Sequence, residues 1–181
     1  MSRWRDRASR AIRERVLRHY LVPYSQFGLD AGLVPHLPRG HEVALVDVGC
    51  NRGDFTAAVA AHAGIRRAVL IDPQPAMVPE LRRRFPDDRF HIASVALGER
   101  DSVAELAILA ADSCSSLLTV KPEAGFAGRQ IDTTVTERRQ VEVASLDGFL
   151  ERQQWRGPID LLKIDTQGSE LSVLKGAARS L

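Results

Sequence analysis

The stretch VALVDVGCNRGDFTAAVAAHAG, residues 43–64, passes from an apolar run through two glycines into a helical pattern. VALVDV is apolar on both faces rather than alternating, which marks a parallel-sheet strand covered by helices on either side. Beyond the turn, Phe55, Ala58, Val59 and His62 recur at helical spacing, and Gly64 supplies a stop. AVLID (68–72) and IDLLKID (159–165) share the two-faced apolar character of the first run. PAMVPELRRRF (75–85) lies between them, with Met77, Leu81 and Phe85 on one helix face and Pro79 in the first turn, and RFHIASV (89–95) reads as the third strand. The repeated strand–helix order predicts a doubly wound, mostly parallel α/β sheet.

The rest of the chain divides around this unit. Residues 1–40 carry a net charge of +5 and the remainder −3, within an overall +2. RWRDRASRAIRERVLRHY (3–20) sets Trp4, Ala8, Ile12, Val16 and Tyr20 along one side of a predicted helix, and a Pro- and Gly-rich connector follows to Gly40. Two segments are therefore expected, an Arg-rich helix with its connector over 1–40 and an α/β domain over 41–181. VAELAIL (103–109) fits a strand or a short helix, and the Ser-, Thr- and Gly-rich stretch from Asp112 to Glu137 has no clear period. RRQVEVAS (138–145) alternates like a strand, Ser145 caps a helix over LDGFLERQQ, and SELSVLK (169–175) starts the helix after the last strand.

Composition narrows the functional classes. With 44% hydrophobic and 27% charged residues the chain reads as globular. The arginine bias is not read as nucleic-acid binding, and no window is long and apolar enough for a membrane span. Cys50 and Cys114 have neither metal-ligand nor disulfide spacing, so no metal is expected and the expected setting is a reducing cytoplasm.

The first chemical site is the glycine turn itself. Asp47, Gly49, Asn51 and Gly53 end a strand and open a helix, which brings backbone amides to the carboxyl end of the sheet, where ligands bind. The alternative for the two glycines is a purely architectural turn, and Asp47 can fix the turn or reach a ligand amine. Asp72, nineteen residues after Gly53 at the end of the second run, is placed to accept both hydroxyls of an adenosine ribose; the alternative is a helix cap in DPQP. The dinucleotide pattern of glycines is absent, since Asn51 and Asp54 occupy the later positions. Asp54 would repel a pyrophosphate, so an adenosine cofactor without phosphate, S-adenosylmethionine, fits better.

The second site is KIDTQGSE, Lys163 to Glu170. Asp165 falls at a strand end beside the crevice, placed to orient a substrate hydroxyl or accept its proton, or else to serve as a turn carboxylate. Gln167 reads as a hydrogen-bonding group, Lys163 as structural or substrate-side, and Glu170 as a helix-start residue or a ligand contact. His91 is a further acid–base candidate or a core histidine. Ser116, in the cluster from Ser113, lines the cleft or belongs to an ordinary turn.

VDVGCNRGDF, the Asp72-Pro73-x-Pro75 turn, VALG (95–98), SCSSLL, VASLDGFL and above all LLKIDTQGSELSVLKGA together resemble the FkbM-type methyltransferases over residues 43–181. That resemblance implies a Rossmann-like class I methyltransferase fold using S-adenosylmethionine, with Asp47, Gly49, Asn51 and Gly53 around the methionine portion and Asp72 at the ribose. It also implies O-methylation of a small-molecule hydroxyl on a sugar, polyketide or related metabolite. The family shows Ala more often at Cys50 and Glu more often at Asp72, and its sheet continues with C-terminal strands that this chain is expected to lack. An alternative expectation is accordingly a catalytically incomplete cofactor-binding remnant, self-associating through an uncovered sheet edge.

Overall fold

The computed structural model describes residues 42–110, 117, 125–126, 129–130 and 134–181. The Arg-rich segment, its connector, Cys114 and Ser116 lie outside the described residues. In chain order the elements are β1 (Glu42–Val48), α1 (Asp54–His62), β2 (Gly64–Ile71), α2 (Met77–Arg84), β3 (Phe90–Ala93), β4 (Ala96–Gly98) and β5 (Ser102–Leu109). There follow β6 (Gly125–Phe126), β7 (Arg129–Gln130), β8 (Val135–Ser145), α3 (Leu146–Arg152), β9 (Leu161–Ile164) and α4 (Glu170–Lys175).

The three apolar runs form β1, β2 and β9 of a parallel sheet ordered β3-β2-β1-β9. Each strand's successive side chains alternate between two covered faces. On one face Val43, Leu45, Ala68 and Leu70 pack against Val59 of α1 and Met77 and Leu81 of α2. On the other, Val46, Val48, Val69 and Ile71 meet Phe149 and Leu150 of α3 and Val173 of α4. A strand buried on both sides cannot alternate polar with apolar residues, which is why VALVDV does not. The fold is thus the expected doubly wound α/β arrangement, with β3 and β9 at the sheet's edges among the described residues.

A second sheet, ordered β4-β8-β5, stands beside the first. VAELAIL resolves as the strand β5, because antiparallel pairing with β8 from Ser102↔Val143 to Leu109↔Val135 satisfies its backbone and buries Leu106 and Leu109. Leu106 joins Ala96, Val141 and Val143 in a separate small core. His91 lies in β3 as expected, yet its side chain is exposed at the edge of the sheet rather than in the core, and partial desolvation with the Arg82 charge lowers its pKa.

Helix α4 is held against β4 at one point of close approach. A Cβ on Gly176 would overlap the Gly98 carbonyl oxygen and crowd Ser145 Cα at 3.3 Å, while Ser172 Oγ accepts from the Glu99 amide at 3.0 Å. Gly176 is therefore required by space, since its φ of −75° suits any residue. Gly176→Ala is expected to destabilise the fold by roughly 1–3 kcal/mol, the usual cost of overpacking, read as a lower urea midpoint; a wild-type midpoint would contradict the contact.

Candidate active site

The glycine turn is locked by its own hydrogen bonds. Gly49 has φ +70°, Asn51 +45° and Gly53 +76°, left-handed values that glycine and asparagine tolerate best. Gly49 and Cys50 amides donate to the Ile71 carbonyl at 2.8 and 3.1 Å, and the Gly53 amide to the Cys50 carbonyl at 2.7 Å. The Asn51 amide donates to Asp72 Oδ2 at 2.9 Å and the Arg52 amide to Asn51 Oδ1 at 2.9 Å. Every amide from 49 to 53 thus has an acceptor inside the protein, so the turn is not an anion-binding nest of free N–H groups. The space a side chain would need is also taken: a Cβ on Gly49 would overlap the Asp165 carbonyl, and one on Gly53 would press on the Phe85 ring.

Asp47 is fully buried. On the strand face that looks toward α1, its Oδ2 accepts from Thr56 Oγ1 at 2.7 Å, and its Oδ1 pairs with Lys163 Nζ at 3.1 Å. Parallel register sets Asp47 beside Lys163 on neighbouring strands, so the pair follows directly from β1–β9 alignment. Lys163 also donates to the Gly49 carbonyl at 2.6 Å. The Cys50 thiol is pushed far up by burial and by the nearby Asp47 and Asp72 charges, against a smaller opposing effect of Lys163, so it stays protonated.

Asp72 is 5% exposed and closes the turn from β2. Its two oxygens accept the Asn51 and Gln74 amides, the latter at 3.0 Å. Burial raises its pKa, opposed by those two hydrogen bonds and by Lys163. A carboxylate has about four lone-pair sites, so two remain for further donors. Asn51 Nδ2, on the residue whose amide Asp72 accepts, is buried with no acceptor among the described residues. Both residues line a cleft with Gly49, Gln74, Thr166 and the apolar side chains of Val95, Leu97, Leu106 and Leu117. This cavity measures about 50 Å³, less than the roughly 300 Å³ of ordinary small-molecule sites. A larger hollow of about 430 Å³ lies before β9, around Trp155, Ile159 and Arg179. Chemistry favours the smaller one: it sits at the carboxyl ends of β1 and β2 and holds the unsatisfied donor beside the buried acid.

The KIDTQGSE turn separates into distinct roles. Glu170 folds back over its own turn, where Oε1 accepts from the Thr166 amide at 2.9 Å and the Gly168 amide at 3.0 Å. Gly168 at φ +108° and Gln167 at +55° make that curl. Burial raises the Glu170 pKa, but the backbone hydrogen bonds outweigh it and hold the group below its ordinary value. Asp165 is exposed, its Oδ1 accepting from Gln167 Nε2 at 2.8 Å while its amide donates to the Val48 carbonyl at 3.0 Å. Thr56 and Leu106 had no motif to single them out, and Gln74 and Thr166 sat inside motifs without a role of their own; only the fold brings them to the site. Among the described residues no three His, Cys, Asp or Glu side chains are grouped to hold a metal, and no helix is long and apolar enough to cross a membrane.

With this geometry in hand, residues 47–181 match the methyltransferase FkbM domain, and the chain belongs to that family. Among solved structures it is similar to methyltransferase FkbM from Methylobacillus flagellatus KT, at 20% identity and TM-score 0.49 over 80% of this chain and 32% of that one. The chain thus spans about a third of that protein's length. A putative S-adenosylmethionine-dependent methyltransferase from Listeria monocytogenes aligns at 13% identity and TM-score 0.30, over 67% of this chain and 80% of that one. The putative methyltransferase complexed with the Trm112 activator from Haloferax volcanii aligns at 23% and 0.30, over 35% and 33%. No curated protein matches significantly.

The depressed Glu170 pKa has a pH consequence. Its stabilisation is fully present above the unfolded value near 4.3 and is lost as pH falls through the lower folded value. Glu170→Gln is expected to be less stable than the wild type at pH 7, with the difference in thermal midpoint shrinking below about pH 4. A difference unchanged down to pH 3 would contradict the assignment.

Proposed function

We propose that the chain binds S-adenosylmethionine in the cleft at the carboxyl ends of β1 and β2 and methylates a hydroxyl of a small acceptor such as a sugar or polyketide. The observation that carries this reading is the pairing, in one cleft, of a buried carboxylate with spare lone pairs and a buried amide donor that has no partner among the described residues. Asp72 would accept the ribose hydroxyls and Asn51 Nδ2 would donate to a polar oxygen of the cofactor. Val95, Leu97 and Leu106 offer an apolar wall for a base. Committed amides at residues 49–53 favour a cofactor without phosphates. When bound, the cofactor supplies an electrophilic sulfonium methyl. Family membership supports the reaction class.

Asp165 is the chain's candidate for orienting the acceptor hydroxyl and receiving its proton at a carboxylate oxygen, with Gln167 holding the carboxylate's other side. Gly53 seats the turn on α2, and Lys163 and Glu170 support the site from behind. The scarcity of cysteines and the buried free thiol of Cys50 favour a cytoplasmic setting.

Calorimetric titration with S-adenosylhomocysteine tests the binding. Asp72→Ala is expected to weaken it about tenfold or more, the loss of charge-assisted hydrogen bonds, while Asp165→Asn leaves it unchanged and lowers turnover. A folded sample that binds no S-adenosylhomocysteine would contradict the proposal.

A further inference from the structure

Lys163 reaches a set of oxygens that suits any primary ammonium. Its Nζ lies 2.6 Å from the Gly49 carbonyl oxygen, 3.4 Å from that of Val48 and 3.1 Å from Asp47 Oδ1. A primary ammonium has three N–H donors and no acceptor; here it donates to the two carbonyls and meets Asp47 Oδ1 as an ion pair without a hydrogen bond. The two carbonyls belong to Val48, the last residue of β1, and Gly49 of the turn, both of which border the cleft, and the third oxygen is on a carboxylate with no exposed surface. A ligand carrying an ammonium group would seek the same oxygens, and the sequence leaves Asp47 either to fix the turn or to reach such a group.

We infer that this ammonium cage is filled from within: Lys163 is a positioning residue that holds the glycine turn, and the cleft does not read a ligand's ammonium through Asp47. Neither side chain is among those lining the cleft. Asp47 Oδ2 is committed to Thr56, Oδ1 faces Lys163 as an ion pair, and the residue has no exposed surface, so an incoming group would have to displace the protein's own partners. Displacing Lys163 would leave a buried charge without its partner, an expensive state that a ligand would have to offset. Recognition then falls to Asn51 Nδ2, a donor suited to a ligand oxygen, and to Asp72, an acceptor suited to ligand hydroxyls. That last consequence rests on the proposed cofactor; the cage itself does not.

Two measurements test the inference. The chain has three lysines, Lys121, Lys163 and Lys175, so ammonium-selective proton–nitrogen NMR can assign Lys163 from the Lys121→Arg and Lys175→Arg variants. Its ammonium protons are expected to exchange with water more slowly than those of Lys175, and to keep their shift and protection when S-adenosylhomocysteine saturates the protein. Exchange as fast as at Lys175, or release on saturation, would overturn the cage. In the second measurement, S-adenosylhomocysteine and its des-amino analogue are titrated against the wild type. The analogue is expected to bind less than about fivefold more weakly, because losing a charge-assisted contact costs about tenfold or more; any larger loss would overturn the exclusion of Asp47. Should S-adenosylhomocysteine not bind at all, the functional proposal fails and ammonium exchange in the free protein still decides the cage.

Discussion

A carboxylate cut off from water holds the carboxyl end of the sheet together. Asp47 sits at the end of the central strand, and its oxygens join three elements: Thr56 of α1, Lys163 of β9 and, through Lys163, the carbonyls of the glycine turn. Burying such a group is costly unless it is paired and hydrogen-bonded. Here the group is ion-paired with Lys163 through Oδ1 and accepts from Thr56 at Oδ2, while Oδ1 takes no hydrogen bond among the described residues; the pairing favours one alignment of β1, β9 and the turn over any slipped alternative.

The chemistry of the site follows from that alignment. Gly49 packs against the Asp165 backbone so closely that no side chain fits, and the Asp165 amide reaches back to the Val48 carbonyl. The seam that seats the turn therefore also sets the backbone of Asp165. On the other side the turn is tied to β2 by Ile71 and Asp72, which leaves Asn51 Nδ2 beside the buried acid. In this structure the glycines serve packing of protein on protein, and polar side chains at the turn are what remain for a ligand.

The central sheet was legible because a strand covered on both faces writes a continuous apolar run, and three such runs separated by helical spacing leave few arrangements. Asp72 and Asn51 were legible for a related reason: their distance from the strand ends is set by the strand–helix–strand unit. The sheet β4-β8-β5 was not, because pairing with residues 26 to 39 positions away leaves no local period in VAELAIL. Nor were Thr56 and Leu106, a helix threonine and a strand leucine that acquire meaning only beside Asp47 and the cleft. Glu170 was ambiguous between ligand and turn because both uses want an acid at a helix start, and the hydrogen bonds from Thr166 and Gly168 show its work in the turn.

The most direct test of the Asp47–Lys163 pair as the holding interaction is a double-mutant cycle on unfolding free energy with Asp47→Asn and Lys163→Met. Each single change is expected to cost roughly 3–5 kcal/mol by orphaning a buried partner. The double variant should fall short of their sum by about 1–3 kcal/mol, the signature of residues that act together. Costs that add to within about 0.5 kcal/mol would show the two side chains acting independently, and would contradict the account.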